Sequence, residues 1–274
     1  MSVWTTKSDE RLRPLDPIWH SVREEALKAA ERDPALAGFL YGTVLNHPSL
    51  EASLIHRVSE RLDHPDVPAT LIRQGFAAMA EARPEWSEVL RIDIQAVHDR
   101  DPACERYLEP LLYFKGFHAI QTHRLAHWLW SEGRRDFALY LQSRSSSVFQ
   151  TDIHPAAKLG RGIFLDHATG LVVGVTAEIG DNVSMLQDVT LGGTGKEFGD
   201  RHPKIGRGVL IGAGAKILGN IRVGDCSKVA AGSVVLKEVP PRSTVAGVPA
   251  RIINTNSCCD EPSREMDQTL EAEG

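Results

Sequence analysis

The residues best suited to chemistry in this chain are His167, in the segment LDHATG, and Asp152, in TDIHP, fifteen positions earlier. An imidazole can take up a proton under ordinary conditions, because its pKa lies close to neutral pH. A carboxylate beside it would fix its tautomer and stabilise the imidazolium that forms. A lone histidine at a turn is more often a solvated residue, and Asp152 alone could be a cap between domains. The pair must therefore be judged by the elements that would position it.

Those elements are indicated by a six-residue repeat in the second half of the chain. Branched aliphatic residues recur at this spacing from Ile153 to Leu171, from Val173 to Leu191 and from Ile205 to Val235, and Gly or Ala often follows them. The period is typical of a solenoid in which each hexad forms one short strand and a turn. We expect about four triangular coils with these aliphatic residues inside. Because the spacing of Asp152 and His167 is close to one coil, we expect them on adjacent layers.

Two features limit the repeat. Residues 192–204, GGTGKEFGDRHPK, form a polar, glycine-rich insertion, which predicts a loop extruded from the coils. Such loops often carry function, because a rigid scaffold fixes their bases. Pro240 and Pro241 are expected to end the prism, and the polar, acidic stretch after residue 254 is expected to be flexible.

The first 150 residues have a different, helical pattern. Asp16-Pro17 and Asp33-Pro34 resemble helix N-caps followed by proline in the first turn. Aliphatic residues three or four apart predict a helix over residues 49–62, and the pattern continues at 68–82, 85–97, 120–130 and 137–148. We expect about six to eight helices in this domain.

Composition excludes several classes of function. The 274-residue chain has a net charge of −5, and its last seventeen residues, with six acids and one base, account for all of it. The sequence has no basic stripe of the kind that binds nucleic acid. It also has no polybasic cluster or long apolar stretch that would indicate a membrane protein. Four cysteines without a CxxC pair suit a reducing compartment. With no apolar leader segment, we expect a cytoplasmic protein.

Five motifs make the chain similar to a known family. They are RDPA, KGFHA, TDIHPAA, LDHATG and GDRHPKI, and they accompany the hexads and AGVPAR. Together they resemble the bacterial serine O-acetyltransferases of the hexapeptide-repeat acyltransferase superfamily. The resemblance implies an α+β chain with an all-helical N-terminal domain (1–150), a left-handed parallel β-helix (151–254) and a flexible tail (255–274). It also implies trimers through the β-helices, paired into a hexamer through the helical domains.

The resemblance implies a role for each matching residue. His167 would be the general base and Asp152 its partner, while His154 would be structural. The groups that hold serine would be Asp101 and Asp166, for the amino group and hydroxyl, and Arg201 and His202, for the carboxylate. The acetyl-CoA groove would be lined by Gly193, Thr194, Ala213 and Ala231, with Lys228 as a phosphate partner. No cysteine lies near these motifs, so we expect direct transfer in a ternary complex, without an acetyl-enzyme or a metal.

The reaction so implied moves acetyl from acetyl-CoA to the hydroxyl of L-serine, giving O-acetyl-L-serine and CoA, the first step of cysteine synthesis from serine. The alternatives are a hexapeptide acetyltransferase for another hydroxyl or amino acceptor, a metal-dependent hydratase on the same β-helix, and a non-catalytic scaffold. Family members are often inhibited by L-cysteine, which we expect here. Many also bind cysteine synthase through a terminal isoleucine, but this chain ends in Gly274, so we expect weak or no binding.

Overall fold

The computed structural model describes residues 16–195, 198–255 and 261–270. Its first half is helical and its second half is a parallel β-helix, so the predicted fold class is confirmed. Among the described residues, no helix is both long and apolar enough to cross a bilayer. The helices before residue 150 are α1 (Pro17–Arg32), α2 (Ala37–Leu40, continued by a π-helical turn over Tyr41–Leu45), α3 (Leu50–Leu62), α4 (Ala69–Ala82), α5 (Trp86–Arg100), α6 (Leu108–Leu112), α7 (Lys115–Ser131) and α8 (Arg135–Phe149).

Polar side chains cap the first turns of α1 and α3. Asp16 Oδ1 accepts a hydrogen bond from the Trp19 N–H at 3.1 Å, and Ser49 Oγ caps α3. These bonds satisfy donors that the first helical turn leaves free. Asp33 also acts as a cap, but only a 3₁₀ turn over Pro34–Leu36 follows it directly. The long helix α7 lies at the centre of the domain, packed against α4, α8 and the β-helix.

The strands of the β-helix are only two or three residues long until the last two. They are β1 (Thr151–Ile153), β2 (Lys158–Leu159), β3 (Phe164–Leu165), β4 (Leu171–Val173), β5 (Glu178–Ile179), β6 (Ser184–Met185), β7 (Thr190–Gly192), β8 (Lys204–Ile205), β9 (Leu210–Ile211), β10 (Lys216–Leu218), β11 (Arg222–Val223), β12 (Lys228–Val229), β13 (Val234–Val235), β14 (Ser243–Gly247) and β15 (Ala250–Thr255).

Parallel pairing stacks these strands into three faces. Face 1 contains β1, β4, β7, β10 and β13, and face 2 contains β2, β5, β8 and β11. Face 3 contains β3, β6, β9, β12 and β14, to which β15 adds antiparallel. The aliphatic residues of the hexads fill the prism between the faces as predicted, and Met185, Ile211, Ile217 and Val223 are fully buried.

The prism has about five turns rather than the expected four, because it continues past the two prolines. Strand β14 follows Pro240-Pro241 and pairs in parallel with β12. The prolines lie at a corner, and the ladder bonds on either side of them are donated by the N–H groups of Val239 and Arg242. Proline interrupts a β-ladder only where its missing N–H is needed. The prediction that the prism ends there was therefore wrong.

A buried carboxylate fastens the helical half to the first coil. Asp93, on α5, is fully buried. It accepts hydrogen bonds from Arg124 Nε at 2.8 Å and Gln121 Nε2 at 2.9 Å, and from the backbone N–H groups of Gly162 and Ile163. A desolvated charge is stable only when paired and hydrogen-bonded in this way. The two halves therefore meet through a fully satisfied polar contact.

Part of the C-terminal tail is packed on this junction rather than flexible. Residues 262–265 form a short helix, α9 (Pro262–Glu265), and Ser263 is fully buried. Its carbonyl accepts a hydrogen bond from Ser184 Oγ at 2.7 Å, and Met266 packs against the helical core. The expectation of a flexible tail thus does not describe residues 261–270, because buried contacts invisible in the composition hold them. Residues 256–260 and 271–274, with the terminal glycine, lie outside the described residues.

Candidate functional site

The predicted site residues lie mainly along two corners of the prism. The corner between faces 3 and 1, here called the histidine edge, contains residues 166–170, 212–215 and 230–233. The corner between faces 1 and 2, here called the loop edge, contains residues 154–157, 174–177 and the extruded segment 193–203. Asp166, His167, Ala213 and Ala231 belong to the first edge, and Gly193, Thr194, Arg201 and His202 belong to the second. Face 1 separates the two sets within one chain.

His167 is exposed on a strained turn. Its φ is 54° and that of Ala168 is 60°, a left-handed conformation that costs energy for residues with a Cβ. The imidazole is 74% exposed, and its Nε2 lies 3.7 Å from Asp166 Oδ1. This ring is therefore open to an incoming molecule and has a carboxylate for its neighbour.

A pair of carboxylates stands beside the exposed imidazole. Asp101 ends α5 and accepts a hydrogen bond from the Ala103 N–H at 2.9 Å. Burial and the charge of Asp101 raise the pKa of Asp166, while His167 acts in the opposite direction. Neither carboxylate has a Lys or Arg within ion-pair distance among the described residues. Two neighbouring carboxylates without a cationic partner favour the binding of a cation between them.

Asp152 is not hydrogen-bonded to His167. Its Oδ1 accepts a bond from Gln142 Nε2 at 2.6 Å, and its neighbour in the ladder is Val172. Strand β4 follows β1 by twenty residues, whereas β7 follows β4 by eighteen. The extra two residues lie in the corner that carries His167, so a spacing of fifteen does not bring the side chains into contact. The role of Asp152 as partner remains a prediction.

His202 is a buried, neutral donor on the loop edge. Thr176 Oγ1 accepts from the N–H groups of Arg201 and His202, at 3.0 and 3.1 Å, so its own proton goes to His202 Nδ1, 2.8 Å away. The proton of the ring is then on Nε2. Burial, assisted by Arg201 and Lys204, lowers the pKa of His202. A Cβ on Gly174 would lie 1.9 Å from this ring, so only glycine fits there.

Cations surround this histidine. The side chain of Arg201 lies over Gly193, and no carboxylate among the described residues pairs with it. Lys204 binds Asp200 at 2.5 Å and the carbonyl of Thr176. His154, on the same edge, stacks edge-on against Trp130 with ring centroids 5.1 Å apart, in keeping with a structural role. The loop edge is thus suited to an anionic group.

The remaining predicted residues meet the C-terminal tail. Lys228 Nζ donates to the carbonyl of Thr269 at 2.7 Å and lies 3.7 Å from Asp267. Gln268 lines a small cavity together with Lys228 and Ala231. No sequence signal placed these tail residues there. Among the described residues, no group of three or more His, Cys, Asp and Glu side chains could hold a metal ion.

Comparison with known proteins gives this geometry a family. Residues 18–122 match the model of the N-terminal region of serine acetyltransferases, and residues 202–237 match the bacterial transferase hexapeptide model. The serine acetyltransferase of Escherichia coli K12 is 54% identical over 254 residues, which is 93% of each chain. The chain belongs to the serine acetyltransferase family. The predicted family and enzyme class are thereby confirmed.

Solved structures of other serine acetyltransferases have the same fold. The enzyme of Brucella abortus in complex with coenzyme A is 71% identical, with a TM-score of 0.88 over 89% of this chain and 98% of that one. A cysteine complex is 50% identical, with a TM-score of 0.90 over 93% and 98%. The soybean enzyme complexed with serine is 52% identical, with a TM-score of 0.86 over 88% and 100%. These relatives do not favour a different acceptor for this serine acetyltransferase.

Proposed function

We propose that this serine acetyltransferase moves acetyl from acetyl-CoA to the hydroxyl of L-serine, with His167 as the general base. The observation that carries the proposal is the exposed imidazole beside the close carboxylates Asp101 and Asp166. His167 takes the proton of serine Oγ while Oγ bonds to the thioester carbon. The tetrahedral intermediate then breaks its C–S bond, and the imidazolium returns the proton to the CoA thiolate. The products are O-acetyl-L-serine and CoA.

The two edges have the charges that a zwitterionic amino acid requires. The carboxylates of Asp101 and Asp166 suit an ammonium group, and one of them can also orient the hydroxyl. Arg201 and the Nε2–H of His202 suit a carboxylate, since both present N–H donors. An alcohol without these two charged groups would leave the carboxylates unpaired, which costs binding energy. Discrimination for serine would come from satisfying both edges at once.

A second copy of the chain would bring the edges together. Within one chain they lie at different corners, with face 1 between them. A cyclic trimer packed through its β-helices repeats the same contact three times, and it can set the histidine edge of one copy against the loop edge of the next. We therefore propose a trimer with shared sites, and pairing of trimers through the helical domains to give a hexamer.

The acetyl donor would lie in the groove between two such copies. Ala213 and Ala231 are small residues of the histidine edge, and Gly193 and Thr194 belong to the loop edge; together they would let the pantetheine arm approach the backbone. The complex of the Brucella abortus relative with coenzyme A supports a CoA ester as co-substrate. Lys228 would serve a CoA phosphate, for which it must release the Thr269 carbonyl.

The described cysteines support direct transfer. Cys104 and Cys226 are buried, and burial raises the pKa of Cys104 to about 12. A thiol so rarely ionised is a poor nucleophile at neutral pH. Neither belongs to the two edges, and Cys258 and Cys259 lie outside the described residues. A ternary complex without an acetyl-enzyme is therefore the favoured route.

Inhibition by L-cysteine follows from the same recognition. Cysteine carries the ammonium and carboxylate of serine, so both edges would hold it while its thiol replaces the hydroxyl. The cysteine complex of a relative supports this proposal. A rate that stays constant up to millimolar L-cysteine at low serine would count against it. Weak or absent binding to cysteine synthase remains a prediction, because the last residues are outside the described part of the chain.

The reaction can be tested by following CoA release from acetyl-CoA in the presence of L-serine. We expect release with L-serine, none with a galactoside, and a loss of about 10²–10⁴-fold in His167→Ala, the usual size of a general-base contribution. His20→Ala, at an exposed position of α1, is the control and should retain the wild-type rate. Turnover with another acceptor in place of serine would leave the fold unchanged and refute the proposed substrate.

A further inference from the structure

A second cavity, unused by the proposed reaction, lies where α5, the second coil and α9 meet. Its volume is about 410 Å³. The polar residues that matter in its wall are Arg91, Gln95, Asp99, Arg100, Asn182 and Arg264. Three arginines face one space that is formed jointly by the helical half, the β-helix and the tail. A cavity at such a junction is a common location for small ligands.

Arg100 is a buried cation that makes no direct contact with a carboxylate of the described residues. It is 5% exposed, and it donates to the Gly162 carbonyl at 3.0 Å, to Ser184 Oγ at 3.1 Å and to Asn182 Oδ1 at 3.3 Å. All three acceptors are neutral. A guanidinium has five N–H donors, so two remain without a partner among the described residues. Burial, followed by the charge of Arg264, lowers the pKa of Arg100 to about 10. Glu261, Asp99 and Asp93 act in the opposite direction, but none of them is hydrogen-bonded to Arg100.

Arg264 supplies a second cation from the tail. Its Nε donates to Glu261, while its terminal nitrogens have no hydrogen-bond partner in the described ranges. The third arginine is different, because Arg91 already pairs with Asp16 and with Glu51.

The carboxylates in the wall have other partners. Glu88 lies 3.6 Å from Arg161, and Asp99 accepts from Gln95 at 2.6 Å. Arg100 and Arg264 are thus the two guanidiniums of this cavity with donors to spare.

We propose that this cavity binds a small oxyanion of the phosphate type, held between Arg100 and Arg264. Guanidinium groups bind such anions through paired N–H···O bonds, and two of them can share one tetrahedral ion. The anion would give Arg100 a negatively charged hydrogen-bond partner, which the described residues do not supply. Because Arg264 belongs to α9 and Arg100 to α5, the bound ion would also fasten the tail to the helical half.

The test is the thermal unfolding of the full-length protein at increasing concentrations of inorganic phosphate, with sodium chloride adjusted to constant ionic strength. We expect the midpoint to rise with phosphate, since a ligand that binds only the folded state stabilises it. In Arg264→Gln the half-saturating concentration should increase about tenfold, the effect of losing one hydrogen bond to a charged group. Isothermal calorimetry with phosphate should give the same ratio.

Arg207→Gln is the matched control. Arg207 and Arg264 are both 61% exposed and both pair with Glu261, but Arg207 does not line the cavity. Its response to phosphate should remain within about twofold of the wild type, because the anion does not touch it. An equal shift in all three proteins would place the phosphate elsewhere, for example at Lys228, and would overturn the proposal. So would a midpoint that responds to phosphate no more than to chloride.

Discussion

The histidine edge and the loop edge belong to the same prism but have opposite chemistry. On the histidine edge the imidazole is exposed, the backbone is strained, and burial together with Asp101 raises the pKa of Asp166. On the loop edge, burial and then the nearby cations Arg201 and Lys204 lower the pKa of His202. The histidine edge therefore presents carboxylates without a Lys or Arg partner among the described residues, whereas on the loop edge Asp200 is paired with Lys204 and Arg201 is left without a carboxylate partner. The difference indicates that a single chain holds two halves of a recognition site, and that the halves meet only between copies.

The largest expected effect is on the rate of the reaction, and it differs between the histidines of the two edges. His167→Asn should lower kcat by about 10²–10⁴-fold, because the base is removed, with little change in serine binding. His202→Asn should act mainly on KM for serine, since its ring donates to the substrate and takes no proton. Steady-state kinetics with both variants checks this. An equal loss of kcat in both would contradict the division of labour.

Mixing two variants tests whether the edges of different copies form one site. His167→Ala and Arg201→Ala each damage one edge. If sites are shared between neighbours, a refolded equimolar mixture should contain about a quarter of intact sites, because each site draws one edge from each of two copies at random. The measurement is kcat/KM for serine after mixing. Sites formed within one chain would show no gain over the average of the two variants.

A smaller effect concerns the packing of the His202 ring against Gly174. Gly174→Ala places a Cβ against the imidazole, so the ring or the strand must move. Overpacking of this kind costs about 1–3 kcal/mol of unfolding free energy, and KM for serine should rise. Gly38→Ala is the control, because a Cβ at Gly38 meets nothing within 4 Å. Denaturant unfolding and serine kinetics of the two variants give the comparison.

The smallest expected effect is a dependence of stability on pH. The pKa of Asp166 is raised in the folded protein, so its ionisation opposes folding above that value and has no effect below its unfolded pKa, near 3.9. Asp166→Asn should therefore raise the melting temperature slightly at pH 7, and the gain should disappear as the pH falls towards 4. A gain that persists below pH 4 would show that ionisation is not its cause. KM for serine should rise in the same variant.

The sequence predicts the elements of this molecule better than their contacts. The hexad residues, the capping by Asp16, and the extruded loop follow from local patterns, because each depends on near neighbours in the chain. The buried contacts of Asp93, Arg100 and Ser263 were not predicted, because their partners are far away in sequence. The period of six also conceals the longer corner at His167, so the spacing from Asp152 suggested a contact that the coil does not make.

The buried carboxylate of Asp93 affects the order in which the turns of the β-helix unfold. In a solenoid each turn contacts only its neighbours, so loss of structure starts at whichever end is held least firmly. The first turn is tied to α5 through Gly162 and Ile163. In the part of the chain that the structure describes, the far end is covered by β15, whose Ile252 and Ile253 remain exposed. Unravelling should thus proceed from the last turn towards the first, and amide protons should exchange in that order.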